Sequence, residues 1–192
     1  PLSRYDDVNV DGANNICNAA RRNNITKIIF TSSTSVYPTN SEIVDEQTPI
    51  SENERAQALY QTERHILNQA KSAYILRLSG ICGFDRNSYQ KITSKTIEDA
   101  NLPVNLIHAK DIIKIIEHLI KRNITEKDIL NVTSSNHPTK EAYYRYLCNE
   151  FNINSPTVKH SKKPFKKVSN KKLLTTYDVR LEYNSPLDFD FL

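Results

Sequence analysis

The segment 28–37 constrains the fold of this chain more than any other part of its sequence. It begins with the apolar run Ile28-Ile29-Phe30, continues with five consecutive hydroxyl-bearing residues at 31–35, and ends in Val36-Tyr37 before a proline. A short apolar run with a turn signal behind it is typical of a strand buried in a parallel sheet. Because open α/β sheets bind ligands at the carboxyl ends of their strands, these hydroxyl groups predict a ligand site.

The composition predicts one main globular domain. The chain has 192 residues, of which 38% are hydrophobic and 25% charged, as in an ordinary water-soluble protein. Its apolar runs are much shorter than the roughly 18 to 20 residues that span a bilayer, and its first residues lack a signal-peptide pattern. Cys17, Cys82 and Cys148 have no metal-ligand spacing, so we expect reduced thiols in a cytoplasmic protein without a metal site.

Helical and strand patterns alternate along residues 1–155. Helical spacing of apolar residues occurs at 8–23, 53–70, 109–122 and 139–151, and short β-type runs occur at 26–31, 74–78, 104–107 and 128–132. This alternation predicts an α/β domain with a parallel sheet over 1–155. Residues 156–192 have a different composition, Lys-rich and then acidic and aromatic, and are predicted to form a C-terminal extension that packs loosely or wraps the domain.

The Lys-rich part of this extension permits two interpretations. Its basic residues are Lys159, His160, Lys162, Lys163, Lys166, Lys167, Lys171 and Lys172. They could attract the phosphate groups of a nucleic acid. With a formal net charge of only +4, a solvated face balanced by Asp178, Glu182, Asp188 and Asp190 is the favoured interpretation, and neither a nucleic-acid nor a membrane partner is expected.

Four segments in a fixed order resemble a known superfamily, the extended and atypical short-chain dehydrogenase/reductases. They are residues 9–16, 28–37, 75–83 and 105–111, and the segment 167–170 resembles the C-terminal end of the same proteins. The similarity is greatest to the NAD-dependent epimerase/dehydratases, the nucleoside-diphosphate-sugar epimerase-like members. The resemblance implies a Rossmann-like, doubly wound parallel sheet that binds NAD or NADP, with a small C-terminal substrate-binding portion.

The N-terminal half of that sheet is not expected in this sequence. Its βαβ unit needs a Gly-rich turn that approaches the phosphates of the cofactor. The only glycines here are Gly12, Gly80 and Gly83, and no counterpart of the ribose-binding acid is found. We therefore expect the chain to begin after the first half of the sheet.

The resemblance also assigns roles at the strand ends. Hydride transfer to a nicotinamide ring needs a base for the substrate hydroxyl proton and a Ser or Thr that holds the substrate oxygen. Ser33 occupies the Ser/Thr position, while Thr31, Ser32, Leu78 and Ser79 are predicted to contact the cofactor. Without the resemblance, the hydroxyl cluster would be interpreted as local hydrogen bonding at a strand end.

The base of this family, a Tyr followed four residues later by a Lys, has two possible alignments. One pairs Tyr60 with Arg64, in which the bulkier guanidinium replaces the ammonium group of a Lys. The other aligns Glu63 with an acidic residue four positions after the family's Lys, and it places Arg55 and Leu59 at the Tyr and Lys positions. Tyr60 and Arg64 are the catalytic candidates, and the choice of alignment stays open.

Substrate-binding candidates follow from the later segments. Arg86, with its neighbour Asn87, could contact an anionic ligand, and Asn105 and His108 belong to the segment 105–111. The phosphate-binding Arg that these epimerases place four residues before the His is Val104 here, which removes a bidentate phosphate contact. From its spacing alone, His108 is favoured as a helix cap and packing residue.

Two functions from different classes remain. The first is an NAD(P)-dependent epimerase/dehydratase-like oxidoreductase that acts on a sugar or nucleotide sugar by transient hydride transfer. The second is a catalytically degenerate NAD(P)-binding sensor or partner module that lacks the Tyr-Lys pair. The sequence does not determine the substrate, the choice between NAD and NADP as cofactor, or the oligomeric state.

Overall fold

Helices and parallel strands alternate in the computed structural model, which describes residues 3–40, 42–84, 86, 96–122 and 126–190. The helices of this part of the chain are α1 (Ser3–Arg22), α2 (Glu54–Gln69), α3 (Ala109–Lys121), α4 (Lys140–Glu150) and α5 (Lys171–Thr176). The strands are β1 (Lys27–Ser33), β2 (Glu42–Val44), β3 (Ser72–Leu78), β4 (Gly80–Cys82), β5 (Thr96–Ile97), β6 (Leu106–His108), β7 (Lys127–Val132), β8 (Thr157–Val158) and β9 (Lys166–Val168).

Three strands form the central sheet, in the order β1-β3-β7, and all are parallel. Ser33 pairs with Leu78, and Leu78 with Val132, so the three carboxyl ends lie side by side. The predicted strands at 26–31, 74–78 and 128–132 are confirmed. The carboxyl ends therefore form one edge of the sheet, where a ligand of an α/β fold would bind.

Helices cover both faces of this sheet. Every residue of β3 is buried, and successive side chains point to opposite faces. Ala73 and Ile75 pack with α1 and α2, whereas Tyr74, Leu76 and Leu78 pack with α3 and α5. The α/β class and the Rossmann-like layering predicted from the sequence are confirmed.

Strand β1 lies at the edge of the sheet in the described residues. It pairs with β3 on one side only, and Ile28, Ile29 and Phe30 are only half-buried. Nearby, Ile25 on the turn before the strand is 58% exposed. The sequence of this strand is typical of a strand buried in a parallel sheet. Among the described residues, however, no strand pairs with its other edge, so one row of its backbone N–H and C=O groups is unpaired.

The C-terminal segment is tied to the rest of the fold by two small sheets. Strand β8 pairs with β5, and β9 pairs with β2, both in parallel. Asn101 uses both atoms of its side-chain amide on the backbone of Ser161, donating to its carbonyl and accepting from its N–H, each at 2.8 Å. Leu173 and Tyr177 are buried in the main core.

Three lysines of the Lys-rich segment form ion pairs with carboxylates outside the C-terminal extension. Lys159, Lys163 and Lys172 form ion pairs with Glu98, Asp99 and Asp128. The acidic residues Glu182 and Asp190, which were expected to balance this segment, pair with Lys114 and Lys110 of α3 instead. These lysines reach carboxylates that are distant in sequence because the fold places their segment next to other parts of the chain: β8 lies against the segment 96–105, and β9 against 42–44.

Lys27 connects the start of β1 to the end of α3, and it should contribute measurably to stability. Its ammonium group donates to the carbonyl oxygens of Leu119 (3.0 Å), Ile120 (3.2 Å) and Arg122, which otherwise have no intrahelical partner. We expect Lys27→Met to lower the free energy of unfolding by about 1 to 2 kcal/mol, measured by urea denaturation. Lys121→Met, at an exposed position of the same helix end, should change it by less than about 0.5 kcal/mol, and equal effects of the two substitutions would contradict the capping role.

Candidate active site

The hydroxyl-bearing residues at the end of β1 have different environments. Thr31 is exposed, while Ser32 is buried and donates to a carboxylate oxygen of Glu63. The hydroxyl oxygen of Ser33 accepts the backbone N–H of Ser35 at 3.1 Å and so begins a short 3₁₀ helix, Thr34–Val36. The bond between Ser33 and Ser35 is local, as expected for hydroxyl residues at a strand end, whereas Ser32 bonds to a residue of α2.

Three other hydroxyl groups at this edge have no described hydrogen-bond partner. The Oγ atoms of Ser35, Ser79 and Ser134 are buried, and no described residue offers them a partner. Each residue follows the carboxyl end of one strand: Ser35 follows β1, Ser79 follows β3 and Ser134 follows β7. Because buried polar groups are nearly always hydrogen-bonded, a row of such hydroxyls suits water or the polar groups of a ligand.

A buried network lies directly beneath this edge. Arg77 of β3 and Glu63 of α2 form an ion pair at 2.6 Å, with side chains 1% and 0% exposed. A second guanidinium nitrogen of Arg77 donates to the hydroxyl of Tyr37 at 2.8 Å, and that hydroxyl donates to Asn131 Oδ1 of β7 at 2.7 Å. The network connects the ends of all three central strands to α2.

Tyr37 is unsuited to act as a base in this arrangement. Burial raises the pKa of its hydroxyl to about 12, although the neighbouring Arg77 acts in the opposite direction. The group is therefore protonated near neutral pH, and its proton is used in the bond to Asn131. Its role is to fix the strand ends relative to one another.

The catalytic candidates on α2 lie in different environments. Arg64 is exposed and Tyr60 is half-buried, and the structure records no hydrogen bond between them. Leu59 packs against the buried cluster that contains Val36 and Tyr37. Leu59, the residue at the Lys position in the second alignment, thus faces the end of β1. The catalytic roles of Tyr60 and Arg64 stay predictions.

His108 is completely buried at the start of α3. Its Nδ1 accepts the backbone N–H of Lys110 at 3.2 Å, so the capping role favoured from its spacing is confirmed. Its Nε2 lies 3.1 Å from the carbonyl oxygen of Asp190, and its ring lies 4.3 Å from that of Tyr183 and 5.3 Å from that of Phe189. Since Nδ1 accepts, Nε2 carries the proton in the neutral tautomer.

Asp111 holds the C-terminal segment against the start of α3. Its carboxylate accepts the backbone N–H groups of Glu182 (2.7 Å) and Tyr183 (3.2 Å). Burial raises the pKa of Asp111 even though these two bonds oppose the shift. His108 and Asp111 therefore position the segment 182–190, and any contact of His108 with substrate stays a prediction.

The other substrate-binding candidates have different environments. Both amide atoms of Asn105 are engaged: it donates to Lys166 O at 2.9 Å and accepts from Val168 N at 2.8 Å. The side chain of Arg86 is exposed, and its neighbour Asn87 lies outside the described residues. Of the cofactor candidates, Leu78 packs in the core and Ser79 presents its unpartnered hydroxyl at the strand ends.

The described residues contain neither a candidate metal site nor a candidate membrane span. No group of three or more His, Cys, Asp or Glu side chains there could hold a metal ion. None of the described helices is long and apolar enough to cross a membrane.

Comparison with known proteins assigns the family. The model of the NAD dependent epimerase/dehydratase family matches residues 3–133, well over half of the chain. The chain belongs to the NAD-dependent epimerase/dehydratase family. This assignment confirms the resemblance found in the sequence segments.

Relatives of this epimerase/dehydratase chain include the protein YeeZ of Escherichia coli K12, which is 29% identical over 158 residues, or 81% of this chain. The chain spans 57% of the length of YeeZ. A Methylobacillus flagellatus protein described as an NAD-dependent epimerase/dehydratase is 27% identical, with a TM-score of 0.80 over 95% of this chain and 68% of its own. The UDP-glucuronic acid 4-epimerase of Bacillus cereus, solved in complex with NAD, matches in fold at 16% identity, with a TM-score of 0.76 over 94% of this chain and 64% of its own.

Sequence reasoning missed the buried network of this epimerase/dehydratase chain. A signal was present, because Arg77 is the only charged residue in the segment 73–78, and a charge in a buried strand requires a partner. The acidic candidate was Glu63, which the second alignment had already placed at a family position. Lys166, in contrast, was indistinguishable from the other lysines of its segment.

Proposed function

We propose that the chain is part of an NAD(P)-dependent epimerase/dehydratase-like oxidoreductase that acts on a sugar or nucleotide sugar. The observation that carries this proposal is the row of buried, unpartnered hydroxyls of Ser35, Ser79 and Ser134 at the carboxyl ends of three adjacent parallel strands. Family membership supports NAD or NADP as the cofactor. Among the fold neighbours, a UDP-glucose 4-epimerase of Thermotoga maritima was solved with UDP-glucose, which supports nucleotide sugars as the substrate class.

The residues at the strand ends fit the nicotinamide half of such a cofactor. Hydroxyl groups can both donate to and accept from a carboxamide or a ribose, and Ser35 and Ser79 are the groups free to do so. When bound, NAD(P) would accept a hydride from the substrate carbon and return it. The glycines present do not form a phosphate-binding turn, so this chain's residues are proposed to hold the nicotinamide end only.

The chain's own residues would orient the substrate. Ser33 would donate a hydrogen bond to the substrate oxygen. Its hydroxyl hydrogen is available for this bond because Ser33 Oγ is the acceptor, not the donor, in its bond with the N–H of Ser35. Tyr60, with Arg64 beside it on α2, is the candidate that would take the substrate hydroxyl proton. Arg86 would contact an anionic part of the substrate, while Asn105 and His108 would shape the site through the backbone groups they hold.

A second candidate function is an NAD(P)-binding sensor or partner module without turnover. It is favoured by the environment of α2, where Leu59 faces the end of β1 and Arg64 is exposed. In the second alignment, the position of the family's Lys is then occupied by an apolar side chain.

Fluorescence titration with NADH and NADPH, followed by turnover assays with UDP- and dTDP-sugars, separates the two functions. The oxidoreductase predicts saturable binding of one dinucleotide and turnover that Ser33→Ala lowers by about tenfold, the value of one lost hydrogen bond. Thr39→Ala, at an exposed hydroxyl just beyond the segment, is the matched control and should leave turnover unchanged. Binding without turnover supports the sensor, and absence of binding contradicts both.

A further inference from the structure

Lys166 differs from the other lysines of the C-terminal segment in what it binds. It lies in β9, and its ammonium group donates to the carbonyl oxygens of Thr34 and Tyr37, both at 2.9 Å. Thr34 is the first residue of the 3₁₀ helix that follows β1, and Tyr37 comes directly after its last residue. Lys166 is half-buried, and burial lowers the pKa of its ammonium group.

The charge of Lys166 has no carboxylate partner among the described residues. Lys159, Lys163 and Lys172 each form an ion pair with a carboxylate, whereas the recorded bonds of Lys166 are to neutral carbonyls only. A partly buried cation loses hydration, and two carbonyl dipoles compensate it less than an anion would. The two carbonyls use two of its three N–H groups, which leaves one donor and an uncompensated positive charge at this turn.

The turn that Lys166 holds carries the hydroxyl groups of the candidate site. Ser33 and Ser35 lie on either side of Thr34, and Thr34 Oγ1 donates to Leu78 O at 3.3 Å, toward the end of β3. Leu59 of α2 packs against the cluster that includes Val36 and Tyr37 of the same turn. An apolar side chain thus reaches the turn from α2, while a cation reaches it from β9.

We propose that Lys166 is the positioning residue of this site: it fixes the turn 34–37 so that the Ser33 and Ser35 hydroxyls are held toward the nicotinamide half of the ligand, and it brings a positive charge to this turn from β9. This inference rests on the proposed function for the identity of the ligand. The positioning of the turn follows from the two hydrogen bonds of Lys166 alone, so the two can fail separately.

The ligand-binding test compares Lys166→Met, Lys166→Arg and Lys162→Met with the unaltered protein in titrations with NADH. Lys166→Met should weaken NADH binding about tenfold, the value of one or two lost hydrogen bonds. Lys166→Arg keeps the charge and the donors and should restore NADH binding to within about threefold. Lys162→Met, at an exposed position of the same segment, should have no effect. Equal weakening of NADH binding by Lys162→Met and Lys166→Met, or no rescue by arginine, would overturn the inference.

Amide hydrogen exchange tests the positioning without any cofactor. In Lys166→Met the backbone amides of Ser35 and Tyr37, which bond to Ser33 Oγ and Thr34 O, should exchange about tenfold faster or more, while amides of β3 stay protected. Unchanged exchange at these two amides would overturn the inference. If Lys166→Met is unfolded by circular dichroism, Lys166→Gln, which removes the charge and keeps two N–H donors on a shorter side chain, takes its place. If the unaltered protein binds neither NADH nor NADPH, the proposed function fails while the exchange result still decides the role of Lys166.

Discussion

Replacing Arg77 by methionine should destabilise the protein by about 3 to 5 kcal/mol, because it leaves the Glu63 carboxylate buried without its counter-charge. Three guanidinium contacts to that carboxylate, at 2.6 to 3.2 Å, would be lost, and among the described residues only Ser32 would remain as a side-chain donor to it. The hydroxyl of Tyr37 would also lose the donor that holds it at 2.8 Å. Urea denaturation followed by circular dichroism measures the change.

The double variant Glu63→Leu/Arg77→Met distinguishes two contributions to the free energy of unfolding: the penalty for a buried, unpaired carboxylate and the stabilisation that the intact ion pair provides. A well-packed apolar pair often replaces a buried ion pair at little cost, so the double variant should be more stable than Arg77→Met alone, despite carrying one more substitution. Arg64→Met, at the exposed position next to Glu63, is the control and should change the stability by less than about 0.5 kcal/mol. A double variant less stable than Arg77→Met would show that the carboxylate is not the source of the penalty.

Gly83→Ala should destabilise the protein by roughly 2 to 6 kcal/mol, from backbone strain of about 1 to 3 kcal/mol and overpacking of about 1 to 3 kcal/mol. Gly83 has a φ of 103°, a conformation that residues with a Cβ rarely adopt. A Cβ atom there would lie 2.8 Å from Cε1 of the His108 ring and closer still to its Nε2. The ring cannot withdraw, because Tyr183 and Phe189 pack against it and both ring nitrogens are engaged.

Gly12→Ala is the matched control for this substitution and should have the opposite sign. Gly12 lies inside α1, and an added Cβ would meet nothing within 4 Å. Alanine in a helix interior is favoured over glycine by about 0.5 to 1 kcal/mol. Thermal unfolding of the two variants should therefore shift in opposite directions, and a neutral Gly83→Ala would contradict the packing described around His108.

Local sequence patterns predicted the central elements because each of those elements is defined by nearby residues. Strands β1, β3 and β7 have six or seven residues each, and α2 and α4 begin after the capping residues Asn53 and Thr139. Both the strands and the helix starts depend on interactions within a few residues.

The small sheets were not predictable in the same way. Strands β2 and β9 have three residues each, and Ile43 pairs with Lys167, more than a hundred residues later. Neither strand has an alternating pattern of its own, because its partner, and not its sequence, defines it. The distinct roles of Lys166 and Lys159 likewise follow from where β9 and β8 lie, so composition predicted only a basic segment.

The candidate site was predictable in position and only partly in detail. The carboxyl end of β1 was identified from the hydroxyl run. That run could not show that Ser32 donates a hydrogen bond to Glu63, or that the Ser35 hydroxyl has no described partner. Such distinctions depend on α2 and β3, which approach the run only in the folded chain. Ser79 was named from the resemblance, whereas Ser134 gave no signal of its own.

The packing of Leu173 and Tyr177 on the central strands has a consequence for protein synthesis. Leu173 follows Leu78 by 95 residues, and both belong to the same core. At about 5 to 20 residues per second, a ribosome would complete β3 roughly 5 to 20 seconds before the residues that cover its α5 face are made. During that interval the nascent chain carries an uncovered apolar surface, so the yield of native protein should depend on chaperones that bind such surfaces early in translation.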